Sequence, residues 1–290
     1  MRARRPVELP SPGVRFGPDF LTRLGRLEAR LASLRERSEG QGVARLFGVG
    51  AEFVGYRPYR SGEDLRSLDW NLYARLRRPY VRVAAREASE EWAVLLDTSA
   101  SMGVGRPGKL QLAAEVATAI AALALLRRAS VELWTSNGAP RCTLARRTEL
   151  RVWMAQLERT RAQGEQGLGS LVAEFARRRG AGRAFLIDDF LDAEPRQVFG
   201  AVRPACELVL TRILAAEELR TEEHGSVRWV DAESGRSRTL AVDPAARAGY
   251  EGRLEANLER WSSAARRARA LHGVWTSDTP FETVLQEMRG

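Results

Sequence analysis

The chain has 290 residues, 44% of them hydrophobic and 29% charged, with 46 basic against 37 acidic side chains and a net charge of +9. That length holds one large domain, or one domain with a smaller attachment, and the composition is that of an ordinary globular protein, with disorder expected nowhere but at the ends. Two cysteines (Cys142, Cys206) and two isolated histidines (His224, His272) exclude a disulfide framework, a cysteine–histidine zinc site and a Ser-His-Asp triad.

The basic surplus invites a nucleic-acid partner, but its distribution argues otherwise. Lys109 is the only lysine, and the arginines are spread along the chain rather than gathered in one block. The surplus is read as coding composition, with an acidic protein surface as the better-matched partner. The amino terminus carries Arg2, Arg4 and Arg5 and then Pro10, Ser11 and Pro12, with no apolar core of a signal peptide. Leu110 to Leu126 comes closest to a membrane span. It is short of the ~20 residues required and is interrupted by Gln111, Glu115 and Thr118, so a core helix is expected and no span. The expected location is cytoplasmic.

In chain order, Asp19–Arg37 has Phe20, Leu21, Leu24, Leu27, Leu31 and Leu34 at helical spacing. A polar Gly-rich break follows at Ser38–Gly42. Then comes an irregular stretch with Phe53, Tyr56, Tyr59, Trp70, Tyr73 and Tyr80, cut by turn signals at Pro58, Gly62 and Pro79. Its aromatic residues are expected to anchor it to the rest of the protein, with Arg–carboxylate pairs beside them. From Trp92 onward strands and helices alternate. Strands are expected at Trp92–Leu96, Val131–Thr135, Ala184–Ile187, Glu207–Thr211 and Gly273–Thr276. Helices are expected at Lys109–Arg127, Glu149–Thr160, Ser170–Arg179, Pro195–Val202, Arg247–Leu271 and Phe281–Arg289. Buried apolar strands separated by helices predict an α/β fold with a mostly parallel sheet covered on both faces. Val227–Val230 and Thr239–Val242, joined through Gly235, predict a hairpin at its edge. Three parts follow: an extension with an amphipathic helix (1–43), an irregular β-containing segment (44–91) and the α/β domain (92–290), with its hairpin at about 226–242.

Asp97-Thr98-Ser99-Ala100-Ser101 follows directly on the strand Trp92–Leu96. One carboxylate and two hydroxyls on a tight loop at a strand's carboxyl end can converge on a hard divalent cation, at the place where open α/β sheets bind ligands. A helix cap is the plainer role for such residues, but the helix starts only at Lys109. A second carboxylate is offered where Phe185–Ile187 runs into Asp188 and Asp189. Gly103 to Lys109 also satisfies the spacing of a phosphate-binding loop. There Leu110 replaces the magnesium-binding Ser or Thr, and the first glycine lies beyond the Asp97 loop, so a flexible glycine loop is expected instead. A basic run at Arg75, Arg77, Arg78, Arg82 and Arg86 could face an acidic partner. Arg57, Arg60 and Arg75 are the partner-contacting candidates.

Tyr56-Arg-Pro-Tyr-Arg-Ser-Gly-Glu-Asp-Leu-Arg-Ser-Leu-Asp-Trp70, Ala74-Arg75, Val81-Arg82 and Leu95-Leu-Asp-Thr-Ser-Ala-Ser-Met102 together resemble the bacterial family called domain of unknown function fifty-eight. Ile187-Asp-Asp-Phe-Leu-Asp192, Val230-Asp-Ala-Glu-Ser-Gly235 and Ser277-Asp-Thr-Pro280 extend the resemblance from about Gly40 to the end. It implies a Rossmann-like sheet of the von Willebrand factor A type carrying a metal-ion-dependent adhesion site. Mg2+, or Mn2+ or Ca2+, would be held by Asp97, Ser99, Ser101 and Asp189, with its open position accepting a partner's carboxylate. Asp188 stands where a Ser or Thr is usual. The third motif, a threonine loop, reads Gly164-Glu-Gln-Gly-Leu-Gly-Ser170 here, with Ser170 as the nearest hydroxyl. The resemblance also implies a MoxR-type AAA+ ATPase or its client as partner, in chaperone-like maturation or remodelling of other proteins. The expected protein is therefore a non-enzymatic, metal-dependent interaction module. A magnesium-dependent nucleotide or phosphoryl-transfer protein using Gly103–Lys109 and a metal-free arginine-rich scaffold are the alternatives.

Overall fold

The computed structural model describes residues 13–37, 53–59, 70–84, 90–139, 141–178, 181–202, 206–220 and 225–288. In chain order the elements are α1 (Phe20–Arg37), β1 (Phe53–Pro58), α2 (Trp70–Leu76), β2 (Tyr80–Ala84), β3 (Glu91–Leu96), α3 (Lys109–Leu126), β4 (Ser130–Thr135), β5 (Cys142–Leu144), α4 (Leu150–Arg159), α5 (Leu168–Ala176), β6 (Arg183–Asp188), α6 (Pro195–Ala201), β7 (Glu207–Leu214), α7 (Ala216–Leu219), β8 (Gly225–Val230), β9 (Ser237–Val242), α8 (Pro244–Ala268), β10 (Leu271–Thr276) and α9 (Phe281–Glu287).

Six strands form one sheet in the order β10-β7-β6-β3-β4-β5. All neighbours are parallel except β5, which runs antiparallel to β4 at the edge. Side chains alternate between two cores, as the pleat requires. Trp92, Val94, Leu96, Phe185 and Ile187 enter a core shared with residues of α1, α3, α4 and α9. Ala93, Leu95, Ala184 and Leu186 enter the opposite core, with Leu171, Val172 and Phe175 of α5, Val198 of α6 and Trp261 of α8. Both faces are covered, which is why β3 and β6 are apolar runs rather than alternating ones.

Helix α3 is long and apolar enough to cross a membrane by length and composition alone, but most of it is buried inside the protein. Its alanines admit close packing on the sheet. Helix α1 is integral to the same core: Phe20, Leu24, Leu27 and Leu31 are buried, and the Phe20 and Phe281 rings lie 4.9 Å apart. Arg23 pairs with Glu282 at 2.6 Å, and Glu28 pairs with Arg147.

Several expectations shift. Strand β7 runs on to Leu214, carrying Arg212 buried within it: its Nε donates to the Asp189 carbonyl at 2.6 Å and its Nη2 to the Phe190 carbonyl at 2.8 Å, while its Nη1 is buried without a hydrogen-bond partner among the described residues. Helix α8 begins three residues earlier than expected, at Pro244, where the Asp243 side chain caps it by accepting from Ala246 N at 2.7 Å. It ends before Arg269, whose φ of 56° breaks it, so Leu271 belongs to β10. Hairpin β8–β9 is a separate two-stranded sheet rather than an addition to the main one. In the irregular stretch, β1 pairs antiparallel with β2. Trp70 of α2 is 60% exposed and packs edge-on against exposed Tyr73 rather than anchoring the segment. Arg57 pairs with Val81 in the β1–β2 register, and Arg75 sits exposed in the last turn of α2. Arg60, Arg86 and His224 lie outside the described residues.

Candidate metal centre

The centre lies at the carboxyl ends of β3, β4 and β6. Backbone bonds set its frame. Asp97 N donates to Ile187 O at 3.0 Å, and Ser136 N donates to Leu96 O at 3.3 Å. The loop between α4 and α5 closes the third side, with Gln163 N on Thr98 O at 2.9 Å and Ala100 N on Gly164 O at 3.0 Å. These contacts leave the Asp97 carboxylate in a fixed pose. Its Oδ1 accepts from Ser99 N at 3.1 Å and from Ser136 Oγ at 2.7 Å. Its Oδ2 accepts from Ser99 Oγ at 2.5 Å, and the Ser99 and Ser101 hydroxyls are 2.9 Å apart. Ser136 also holds the loop from below by accepting from Thr98 N at 2.8 Å. Ser136 was not among the residues the sequence singled out. Its signal was available: a hydroxyl one residue past the end of the strand beside β3.

Above this loop is a cavity of about 380 Å³. Asp97, Ser99, Ser101, Ser170, Asp188 and Asp189 all line it, so the fold brings together the metal candidates of the sequence. The two adjacent acids are not equivalent. Asp189 is committed: its Oδ2 accepts from Lys109 Nζ at 2.6 Å and its Oδ1 from Leu191 N at 3.0 Å. Asp188 accepts from Phe190 N at 3.0 Å and lies within hydrogen-bonding reach of Asp97. The turn that follows them is strained. Phe190 has a φ of 53°, a region bulky residues rarely adopt, and it is held there by complete burial and by the Trp261 ring at 4.6 Å.

The electrostatics separate two groups of charges. Lys109 is fully buried and bonds both Asp189 and Glu218 at 2.6 Å. Burial alone would lower its pKa, but the two carboxylates outweigh that and raise it. Asp97 and Asp188 are 2% and 4% exposed, and among the described residues no ion pair reaches either. Burial first, then Asp97 and Asp189, push Asp188 well above the usual carboxylate range. Glu233, from the turn of the β8–β9 hairpin, also lines the cavity. Burial, then Asp192 and Asp97, push it up to about 7.

Two buried acids facing each other without a cation form a charge arrangement that a hard divalent ion resolves. Among the described residues no three His, Cys, Asp or Glu side chains gather closely enough to hold an ion by themselves. The donor set here consists of two carboxylates with the Ser99 and Ser101 hydroxyls, all oxygen, and it fits Mg2+, Mn2+ or Ca2+ by its chemistry. Ser170 is exposed at the rim.

Phosphate finds no comparable place. The Lys109 ammonium is enclosed by two carboxylates, and Lys109 N donates to Val104 O at 3.1 Å. The glycine loop is close-packed rather than flexible. Gly105 has a φ of +101°, and a Cβ there would stand 2.8 Å from Ala215 Cβ and 2.9 Å from the Pro107 carbonyl. Gly105→Ala is expected to destabilise the protein by roughly 1–3 kcal/mol, readable as a lowered denaturation midpoint; an unchanged midpoint would contradict this packing.

A mixed α/β protein with a mostly parallel sheet and an acidic, hydroxyl-rich cleft at the strand ends is thus defined. The chain belongs to the family described as "Protein of unknown function DUF58", whose match spans residues 55–260. Uncharacterized proteins of Mycobacterium tuberculosis and Mycobacterium bovis are 32% identical to it over 220 residues, covering 72% of this chain and 69% of theirs. Among solved structures, the conserved hypothetical protein BatB from Bacteroides thetaiotaomicron overlaps with a TM-score of 0.42 at 12% identity, over 69% of this chain and 96% of that one. An aerotolerance-related membrane protein from Bacteroides fragilis gives 0.40 at 14%, over 69% and 98%. Both likenesses are partial.

Proposed function

We propose that this chain is a non-enzymatic, von Willebrand factor A-like interaction module whose divalent cation binds an acidic residue of a partner protein. The observation that supports it best is the buried Asp97–Asp188 pair, placed beside the Ser99 and Ser101 hydroxyls without a cationic partner among the described residues. Asp97, Asp188, Ser99 and Ser101 would hold the ion. Asp189 acts as a positioning residue, tethered by Lys109. When bound, the ion would supply a Lewis-acid anchor for an incoming carboxylate. The chain's own residues do the rest. Ser136 and Ser99 N orient Asp97, the Phe190 turn aims Asp188, and the buried strand ends limit water. A net charge of +9 speeds encounter with an acidic surface. A MoxR-type AAA+ ATPase or its client is the partner of this proposal, in chaperone-like maturation or remodelling. A cytoplasmic location belongs to the same proposal, in keeping with the burial of α3 in the core.

The first test is calorimetric titration of Mg2+ and Mn2+ into the full chain and into Asp188→Asn and Asp189→Asn. Asp188→Asn is expected to lose more affinity than Asp189→Asn; the reverse order would return the ligand role to Asp189. Capture of the ATPase in Mg2+ but not in EDTA would support the partner, and equal capture in both would remove it.

Affinity is also expected to fall with acidity, since the ion must displace protons from carboxyls whose pKa values are raised in the fold. Below the pKa of Asp188, which burial and its acidic neighbours push well above the usual carboxylate range, each pH unit weakens binding about tenfold per proton displaced. The sign is opposite for the metal-free protein. A raised carboxyl pKa contributes stability at low pH that is lost as pH rises through it. The Mg2+-induced rise in Tm is therefore larger at pH 8 than at pH 5.5; an equal rise at both would rule out these carboxyls as ligands.

A further inference from the structure

The β8–β9 hairpin stands apart from the main sheet, and its strands are exposed along nearly their whole length. Its turn is different. Ala232 and Glu233 are partly buried, while Asp231 before them and Ser234 to Arg236 after them are exposed. Glu233 lines the cavity formed by Asp97, Ser99, Ser101 and Asp188, so the tip of an exposed hairpin is seated in the candidate metal centre.

The turn is built to hold this pose. Asp231 Oδ1 accepts from Glu233 N at 2.9 Å and from Ser234 N at 3.1 Å. Asp231 N donates to Arg236 O at 2.8 Å, and Gly235 N donates to Asp231 O at 2.9 Å. Gly235 supplies the left-handed φ of 65° that closes the turn. The two residues preceding Gly235 are thereby fixed relative to the arms, and Glu233 is presented inward.

The Glu233 carboxylate lies within reach of the Ser99 hydroxyl and is repelled by Asp192, Asp97 and Asp189 when no cation lies between them. Beside a divalent ion the same carboxylate is a ligand. The seated tip therefore matches the charge of an occupied centre. We infer that Glu233 is the chain's own acidic ligand for this centre: the hairpin tip takes the position that a partner's carboxylate would take, and the tip lifts when a partner binds. This rests on the metal reading above and adds its regulation. Among the described residues the hairpin is paired with no strand of the main sheet, and it is held at its base, where Val242 is buried and β9 packs against α8, so the movement belongs to the tip.

The test uses the full chain with Mn2+ as the probe ion, followed by water-proton relaxation. Wild type is compared with Glu233→Gln and Asp97→Ala. Glu233→Gln is expected to bind Mn2+ more weakly, by at least the roughly tenfold that even an outer-shell partner contributes. Each ion it binds should relax water more strongly, because a water fills the vacated position. Acetate should then lower that relaxation in Glu233→Gln at concentrations that leave wild type unchanged. In wild type, Mn2+ should slow amide hydrogen exchange across residues 225–242, and in Glu233→Gln it should not. Equal affinity, relaxation and exchange in wild type and Glu233→Gln, with Asp97→Ala devoid of binding, would overturn the hairpin ligand and leave the metal centre standing. Binding that survives Asp97→Ala, or none in any form, would remove the metal centre and this inference with it.

Discussion

Asp97→Ala is expected to abolish uptake of Mg2+ and Mn2+, a loss of at least about 100-fold in affinity. Asp97 is the residue on which the centre converges: it accepts from Ser99 N, Ser99 Oγ and Ser136 Oγ, and it faces Asp188. Its removal takes away one of two buried carboxylates and frees the hydroxyls that it orients. Two effects oppose each other in the metal-free protein. Stranded donors cost about 1–3 kcal/mol, while Asp188 loses its repulsive neighbour. The metal-free Tm should therefore move little, and the Tm gain on adding Mg2+ should vanish. Calorimetry with paired melting curves separates these readouts. Undiminished binding in Asp97→Ala would exclude this site as the seat of the ion.

Lys109→Met carries the largest expected stability effect. It leaves Asp189 and Glu218 facing each other in the interior without the ammonium that bonds both at 2.6 Å. Removing one partner of a buried ionic network costs about 3–5 kcal/mol, more than an exposed pair contributes, because the remaining charges cannot rehydrate. Lys109→Met with Asp189→Asn should recover part of the loss, since the uncompensated charge is then reduced. Denaturant unfolding without nucleotide measures both. A Lys109→Met protein of wild-type stability that had lost binding to ATP would reinstate the phosphate-loop reading of Gly103–Lys109.

The features legible in the sequence share one property: their signals are local and strong. Strands β3 and β6 are uninterrupted apolar runs because both of their faces are buried, and α1 shows Phe20, Leu24, Leu27 and Leu31 at helical spacing because one face is. The Asp97 loop stands out because its oxygen-bearing residues follow a buried strand without a break. Weak or contradictory local signals hid the rest. Strand β5 has three residues, and β7 contains a buried arginine that reads as its end. Helix α2 hides in a stretch whose aromatic residues suggest anchoring, yet Trp70 faces solvent.

The sequence by itself determined the α/β alternation, the placement of acids and hydroxyls at the ends of β3 and β6, and the family. Tertiary structure alone gives the two adjacent acids different partners. Asp188 and Asp189 are neighbours of the same type, and no periodicity distinguishes them. The turn at Phe190 directs Asp188 toward Asp97, while Lys109, 80 residues away in the chain, captures Asp189. Tertiary structure likewise brought in Ser136 from the neighbouring strand and Glu233 from a hairpin more than a hundred residues beyond the Asp97 loop. Such partners are set by the order of strands in the sheet and by where a turn comes to rest, and charges buried together interact strongly whatever their separation along the chain.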